Sequence, residues 1–153
     1  MFGMHIRWCP HGQVMENGIG NNSAQFTIGD PVTYDTDGFL IVATAGLRIL
    51  GVANESITMG ATNETTTQYR VSFIQGNIYD YYEMDSSAAI AATNRSQYAD
   101  VTGTTGAIQL DFGTVADNTA QLRVADLDPR RESSTTRILV NIAEPEQLAH
   151  TQN

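Results

Sequence analysis

Short apolar or alternating runs, broken by clusters of Gly, Asp, Asn and Thr at intervals of about 8–12 residues, constrain this chain more than anything else in it. That punctuation leaves room for strands and almost none for helices. It predicts strands over Phe26–Ile28, Val32–Tyr34, Phe39–Ala43, Ile49–Ala53, Gln68–Ile74, Ile78–Glu83, Ile108–Phe112, Ala120–Ala125 and Arg137–Ile142. Tyr69, Val71 and Phe73 alternate with Gln68, Arg70 and Ser72, the period of a strand with one face on a core. Ile138, Val140 and Ile142 alternate with Leu139, Asn141 and Ala143, and both faces are apolar enough for burial on two sides.

The turns have their own chemistry. Asp35-Thr36-Asp37-Gly38 joins two strand-like runs, and its Asp-Gly pair supplies the positive φ that a tight hairpin needs. It shares its first residues with a calcium-binding loop but lacks that loop's later ligand positions. Gly103-Thr104-Thr105-Gly106 and Asp126-Leu127-Asp128-Pro129 read as further loops. Ser86–Ala92 reads as a helix of at most two turns, because Ala favours helix and Ser can cap it. In Tyr79-Asp80-Tyr81-Tyr82-Glu83 the alternation is read with Tyr79 and Tyr81 inward and Asp80 and Tyr82 outward.

With 153 residues the chain is one domain, long enough to bury a core without disulfides or a structural metal. Its single Cys excludes an intramolecular disulfide. The expected architecture is all-β, a compact β-barrel or β-sandwich over residues 25–145. An extended N-terminal arm (residues 1–24) precedes it and a tail (146–153) follows.

The arm reading rests on Phe2, Met4, Ile6 and Trp8, which alternate with Gly3, His5, Arg7 and Cys9 ahead of a Gly18-Ile19-Gly20-Asn21-Asn22-Ser23 hinge. Such an arm packs on a neighbouring subunit or adds as a strand to another protein, with the four apolar side chains as partner-binding anchors. Deleting residues 1–24 is then expected to leave a folded body that no longer binds its partner. The alternative is an ordinary first strand of the same sheet, since sequential elements usually pair.

Charge narrows the partners. There are 17 acidic residues against 8 basic ones, all Arg, for a net charge of -9. A chain of that sign is repelled by phosphate backbones, so no nucleic-acid partner is expected; Arg130-Arg131 is the one basic cluster. No apolar run is long enough to span a bilayer and the first residues lack a signal-peptide pattern, so the expected partners include no membrane and the expected site of synthesis is a cytoplasm.

His5, Cys9 and His11 are the one metal-like group, but a zinc site wants four ligands, or three with an open position, and the apolar alternation with Pro10 explains the stretch without one. No cofactor or metal is expected. The nucleophile-elbow, phosphate-loop and dinucleotide motifs are absent, and no catalytic residues are assigned.

The run Gly29-Asp30-Pro31-Val32-Thr33-Tyr34-Asp35-Thr36-Asp37-Gly38-Phe39, continuing through Ala43-Thr44-Ala45-Gly46 to Ile49-Leu50-Gly51-Val52-Ala53, resembles the opening of the small head-decoration (cement) proteins of tailed bacteriophages. Thr67–Ile74, Gly76–Asp80, the Ala-rich stretch at 88–92, Tyr98, Leu110-Asp111 and Arg137–Val140 continue the likeness, which spans about residues 26 to 143. The segment before Gln25 and the Arg130-Arg131 loop lie outside it. The resemblance implies a structural protein that forms a homotrimer and clamps neighbouring major capsid proteins on the exterior of an icosahedral head, with no enzymatic activity. Two other readings compete with it. One is a carbohydrate-binding or tail-associated receptor-binding β-domain using Tyr81, Tyr82 and nearby acids; the other is a small hydrolase.

Overall fold

In the computed structural model, which describes residues 3–10, 12–116, 120–127 and 134–143, the chain is all-β. Among the described residues the strands are β1 His5–Trp8, β2 Met15–Ile19, β3 Gln25–Phe26, β4 Pro31–Tyr34, β5 Leu40–Val42, β6 Gly51–Ala53, β7 Ile57–Thr58, β8 Arg70–Gln75, β9 Tyr81–Ala91, β10 Tyr98–Ala99, β11 Val101–Thr102, β12 Gln109–Leu110, β13 Leu122–Leu127 and β14 Ser134–Ile142. The helical pieces are single turns of three to five residues.

Five strands form a sheet in the order β2-β8-β6-β4-β5, curled until Gly20 bridges Leu40, so the sheet is nearly a closed barrel. Seven form a second sheet, β10-β13-β14-β9-β12-β11, with β1 also paired to β9. Phe26, Val32, Leu40, Ala53, Met59, Val71 and Phe73 fill the barrel. A larger core beneath the second sheet gathers Met4, Tyr82, Met84, Ile90, Leu122, Ile138 and Val140 among others. As the alternation requires, Val71, Phe73, Ile138, Val140 and Ile142 are all buried. Tyr69, at 43% exposed, escapes the pattern because it precedes the strand.

The Gly29-to-Ala53 run anchors the framework. Gly29 turns at φ +96° with His5 packed over it, and Asp30, fully buried, accepts the Thr27 N–H at 2.9 Å and the Gly106 N–H at 3.0 Å. A side chain at Gly51 would collide with the Ile74 carbonyl oxygen of β8, so the Leu-Gly-Val run is a close approach of two backbones. Asp35 closes the β4–β5 hairpin as an Asx turn, accepting the N–H groups of Asp37 and Phe39 at 2.9 Å each and the Asn21 side chain at 2.6 Å. Those bonds are why its carboxyl sits below the usual range despite some desolvation.

Three expectations are corrected. Residues 86–91 are strand, not helix, the end of β9. There Ser86 pairs with β12, and Ile90 and Ala91 with β14, and pairing on both sides overrides the weak helix preference of Ala. Around Tyr82 the period is right and the phase reversed. Asp80 and Tyr82 are buried, whereas Tyr79 is 58% exposed and Tyr81 faces outward beside Trp8.

The N-terminal segment, finally, does not leave its own body as an arm. His5, Ile6 and Trp8 of β1 pair with Glu83, Tyr82 and Tyr81 of β9, and β2 pairs along the whole of β8. The reason is that β1 is fastened on both faces. Met4 is 1% exposed in the larger core with Ile6 packed against the same cluster, and on the outside Arg7 Nε lies 3.0 Å from the Glu83 carboxylate. The body therefore includes residues that the sequence placed in the arm. The tail at 146–153, the Arg130-Arg131 loop and residues 128 and 129 lie outside the described residues.

Candidate functional site

Of the four expected partner anchors, Met4 is core, Ile6 is half-buried against it, and Phe2 lies outside the described residues. Trp8 is different. The register between β1 and β9 slips between Ile6 and Trp8, two residues on β1 facing one step on β9. This bulge turns Trp8 onto the face opposite Met4 and Ile6. It stands there 58% exposed, its ring 5.6 Å from that of Tyr81 at a tilt of 51°.

Trp8 and Tyr81 form one wall of a cleft of about 700 Å³ on the outer face of the seven-stranded sheet. Tyr79 comes from the loop before β9, Tyr98 from β10, Arg123 from the solvent face of β13 and Asn141 from β14. Arg123 Nη2 donates to the Ser96 hydroxyl at 2.9 Å. The Asn141 side-chain amide donates to the Asp80 carbonyl at 2.9 Å and ties the floor of the cleft to the loop that carries Tyr79. Among the described lining residues there is no Asp or Glu.

On the same outer face, Glu83 is 4% exposed and held between Arg7 at 3.0 Å and Arg137 at 3.2 Å, with Arg137 also 3.7 Å from Asp85. A carboxylate held by two guanidinium groups is a clasp between β1, β9 and β14. Tyr82, a sugar-contact residue under the carbohydrate reading, is completely buried. Its hydroxyl donates to Asp80 at 3.5 Å, and burial with the neighbouring Asp80 pushes the phenol well above its ordinary value.

A second feature lies on the barrel. β2 ends its sheet, and the register fixes where its backbone groups point. Gln75 N–H bonds to Val14 O, and Gly20 N–H to Tyr69 O. Together with the Met15–Ile74 to Ile19–Arg70 pairing, this makes the even-numbered residues the hydrogen-bonded partners of β8. The N–H and C=O groups of Met15 and Asn17 therefore point away from β8. Among the described residues the far edge of β2 meets β5 at its C-terminal end, where Gly20 bridges Leu40 and Asn21 N–H bonds to Leu40 O at 2.9 Å. Val14 and Met15 beside the open stretch are 53% and 48% exposed.

The sequence assembles neither feature, although the Tyr79–Glu83 run supplies two of the cleft's aromatic rings. The cleft draws its walls from five separated segments, and the edge of β2 depends on where the barrel closes. The metal-like group does not assemble among the described residues, where no three His, Cys, Asp or Glu side chains converge; His11 lies outside them. Cys9 donates its thiol to the Gly12 carbonyl at 2.8 Å. In comparisons with family models, curated proteins and solved structures, nothing matches this chain.

Proposed function

We propose that the chain is a non-catalytic decoration protein of a tailed-phage head, which docks on the outside of the shell by accepting a strand of the major capsid protein at the open edge of β2. The observation that carries this reading is the pair of outward-pointing N–H and C=O groups on Met15 and Asn17. An unpaired edge is a template for another chain, and strand addition supplies affinity through backbone bonds and specificity through flanking side chains, here Val14 and Met15.

Two further points support it. The Gly29-Asp30, Asp35-Gly38 and Gly51 positions of the resemblance are those where the fold turns or its strands meet most closely. A net charge of -9 suits the exterior of a DNA-filled shell. Stabilisation would follow from mass action, since a protein that binds only assembled shell favours that state by RT ln(1 + [L]/Kd). Three copies joined as a homotrimer would raise the effective concentration of each for its site.

The test is co-sedimentation of the purified chain with heads stripped of their decoration, comparing wild type with Asn17→Pro. Proline deletes the outward N–H of Asn17 and leaves the β8 ladder intact, a position at which edge strands accept it. Wild type is expected to saturate the heads and the variant to bind at least about tenfold more weakly. Equal occupancy by both, or none by wild type, contradicts the proposal.

A further inference from the structure

We infer that the cleft on the outer face of the seven-stranded sheet is a binding site for a short acidic oligosaccharide, two or three sugar rings bearing at least one carboxylate. This inference is independent of the docking edge and uses no residue of β2.

The lining chemistry points to sugar rings. Trp8 and Tyr79 are each 58% exposed, two large aromatic side chains at one cleft. The apolar face of a pyranose carries C–H groups with slight positive charge, which lie well on the negative face of an aromatic ring. The volume, about 700 Å³, falls within the range of small-ligand sites, roughly 300–1,000 Å³.

Charge selects an acidic sugar. In a chain with 17 acidic and 8 basic residues, this cleft displays Arg123 and, among the described residues, no carboxylate. The partner of Arg123 is the neutral Ser96 hydroxyl at 2.9 Å. A guanidinium has five N–H donors, so it retains donors for a paired, charge-assisted bond to a carboxylate.

Backbone geometry disfavours an extended peptide at the same place. On β10, Tyr98 exchanges both backbone bonds with Ala116, at 2.8 and 3.0 Å, and pairs with Arg123 on its other side. Where it meets the cleft, β9 lies between β1 and β14. The cleft therefore offers side chains rather than a strand edge.

The experiment uses the intact chain and its single tryptophan, Trp8, whose emission reports directly on the cleft. Trigalacturonate is titrated, with maltotriose and a Glu/Gly hexapeptide as comparison ligands, alongside saturation-transfer NMR on the sugar C–H protons. Trigalacturonate is expected to change the Trp8 emission saturably and to show transfer. Affinity should fall about tenfold in Arg123→Gln and by a similar factor in Tyr79→Ala and Tyr79→Leu, with unchanged melting temperatures. Tyr79→Leu keeps apolar bulk while removing the ring. The inference is overturned by the absence of a saturable response, by maltotriose or the hexapeptide binding as tightly, or by folded variants at both positions binding as well as wild type.

Discussion

The buried carboxylate of Asp30 accepts the backbone N–H of Gly106, 76 positions along the chain, at 3.0 Å. This bond joins the turn entering the barrel to the loop between β11 and β12, and Thr105 reinforces it with a hydroxyl bond to the Gln25 carbonyl at 3.1 Å. Replacing Asp30 with Ala would leave the Gly106 and Thr27 N–H groups unsatisfied, and each orphaned donor costs about 1–3 kcal/mol. Chemical denaturation should therefore show a loss of about 2–6 kcal/mol at neutral pH. Burial raises the Asp30 carboxyl above its ordinary value of 3.8, against the lowering effect of those two N–H groups. The folded chain thus keeps this proton to higher pH than the unfolded one. This group's contribution to stability is largest at low pH and declines as pH rises from 3.8 through the raised value. An Asp30→Ala gap that failed to narrow over that rise would contradict the assignment.

Asp35 has the opposite sign. Its carboxyl is lowered from 3.8, with hydrogen bonds from Phe39, Asn21, Asp37 and Gly38 outweighing desolvation. Its stabilising contribution is present above 3.8 and is lost as pH falls through the lowered value. Urea titrations of wild type and Asp35→Asn should differ near neutral pH and converge in acid. A constant separation across that range would show that the hairpin does not depend on the charged form.

Met4 tests whether the first strand belongs to its own body. At 1% exposure in the larger core, Met4→Ala should cost about 2–5 kcal/mol. Deleting residues 1–24 should unfold the protein, since it removes Met4, all of β1 and the β2 strand that lines β8. A truncated chain that keeps a cooperative thermal transition and native near-ultraviolet dichroism would restore the detachable arm.

Much of the fold was legible wherever one face of a strand is buried and the other wet. Val71 with Phe73, and Ile138 with Val140 and Ile142, declared their strands, and Asp35-Gly38 its hairpin, because local chemistry decides each. What failed depends on distant partners. Ser86–Ala91 has helix-prone composition, and only pairing with β12 and β14 makes it a strand. Phe2, Met4, Ile6 and Trp8 read as one apolar face, and nothing local announces the slip after Ile6 that sends Trp8 outward. Tyr79 and Tyr82 were assigned the wrong sides because alternation gives a period without a phase. For the cleft, the aromatic and acidic cluster at 79–83 is legible in the sequence, but its use of Arg123 and Tyr98 depends on the sheet order.

Amide hydrogen exchange of β2, free and on saturated heads, tests the docking edge most directly. Among the described residues the N–H groups of Met15 and Asn17 have no partner strand, whereas Glu16 and Gly18 bond to β8. Met15 and Asn17 should exchange fast in the free protein and slow at least about a hundredfold on heads, as the backbone bonds of an added strand would require. Bound protein in which those two amides exchange as fast as before would contradict it.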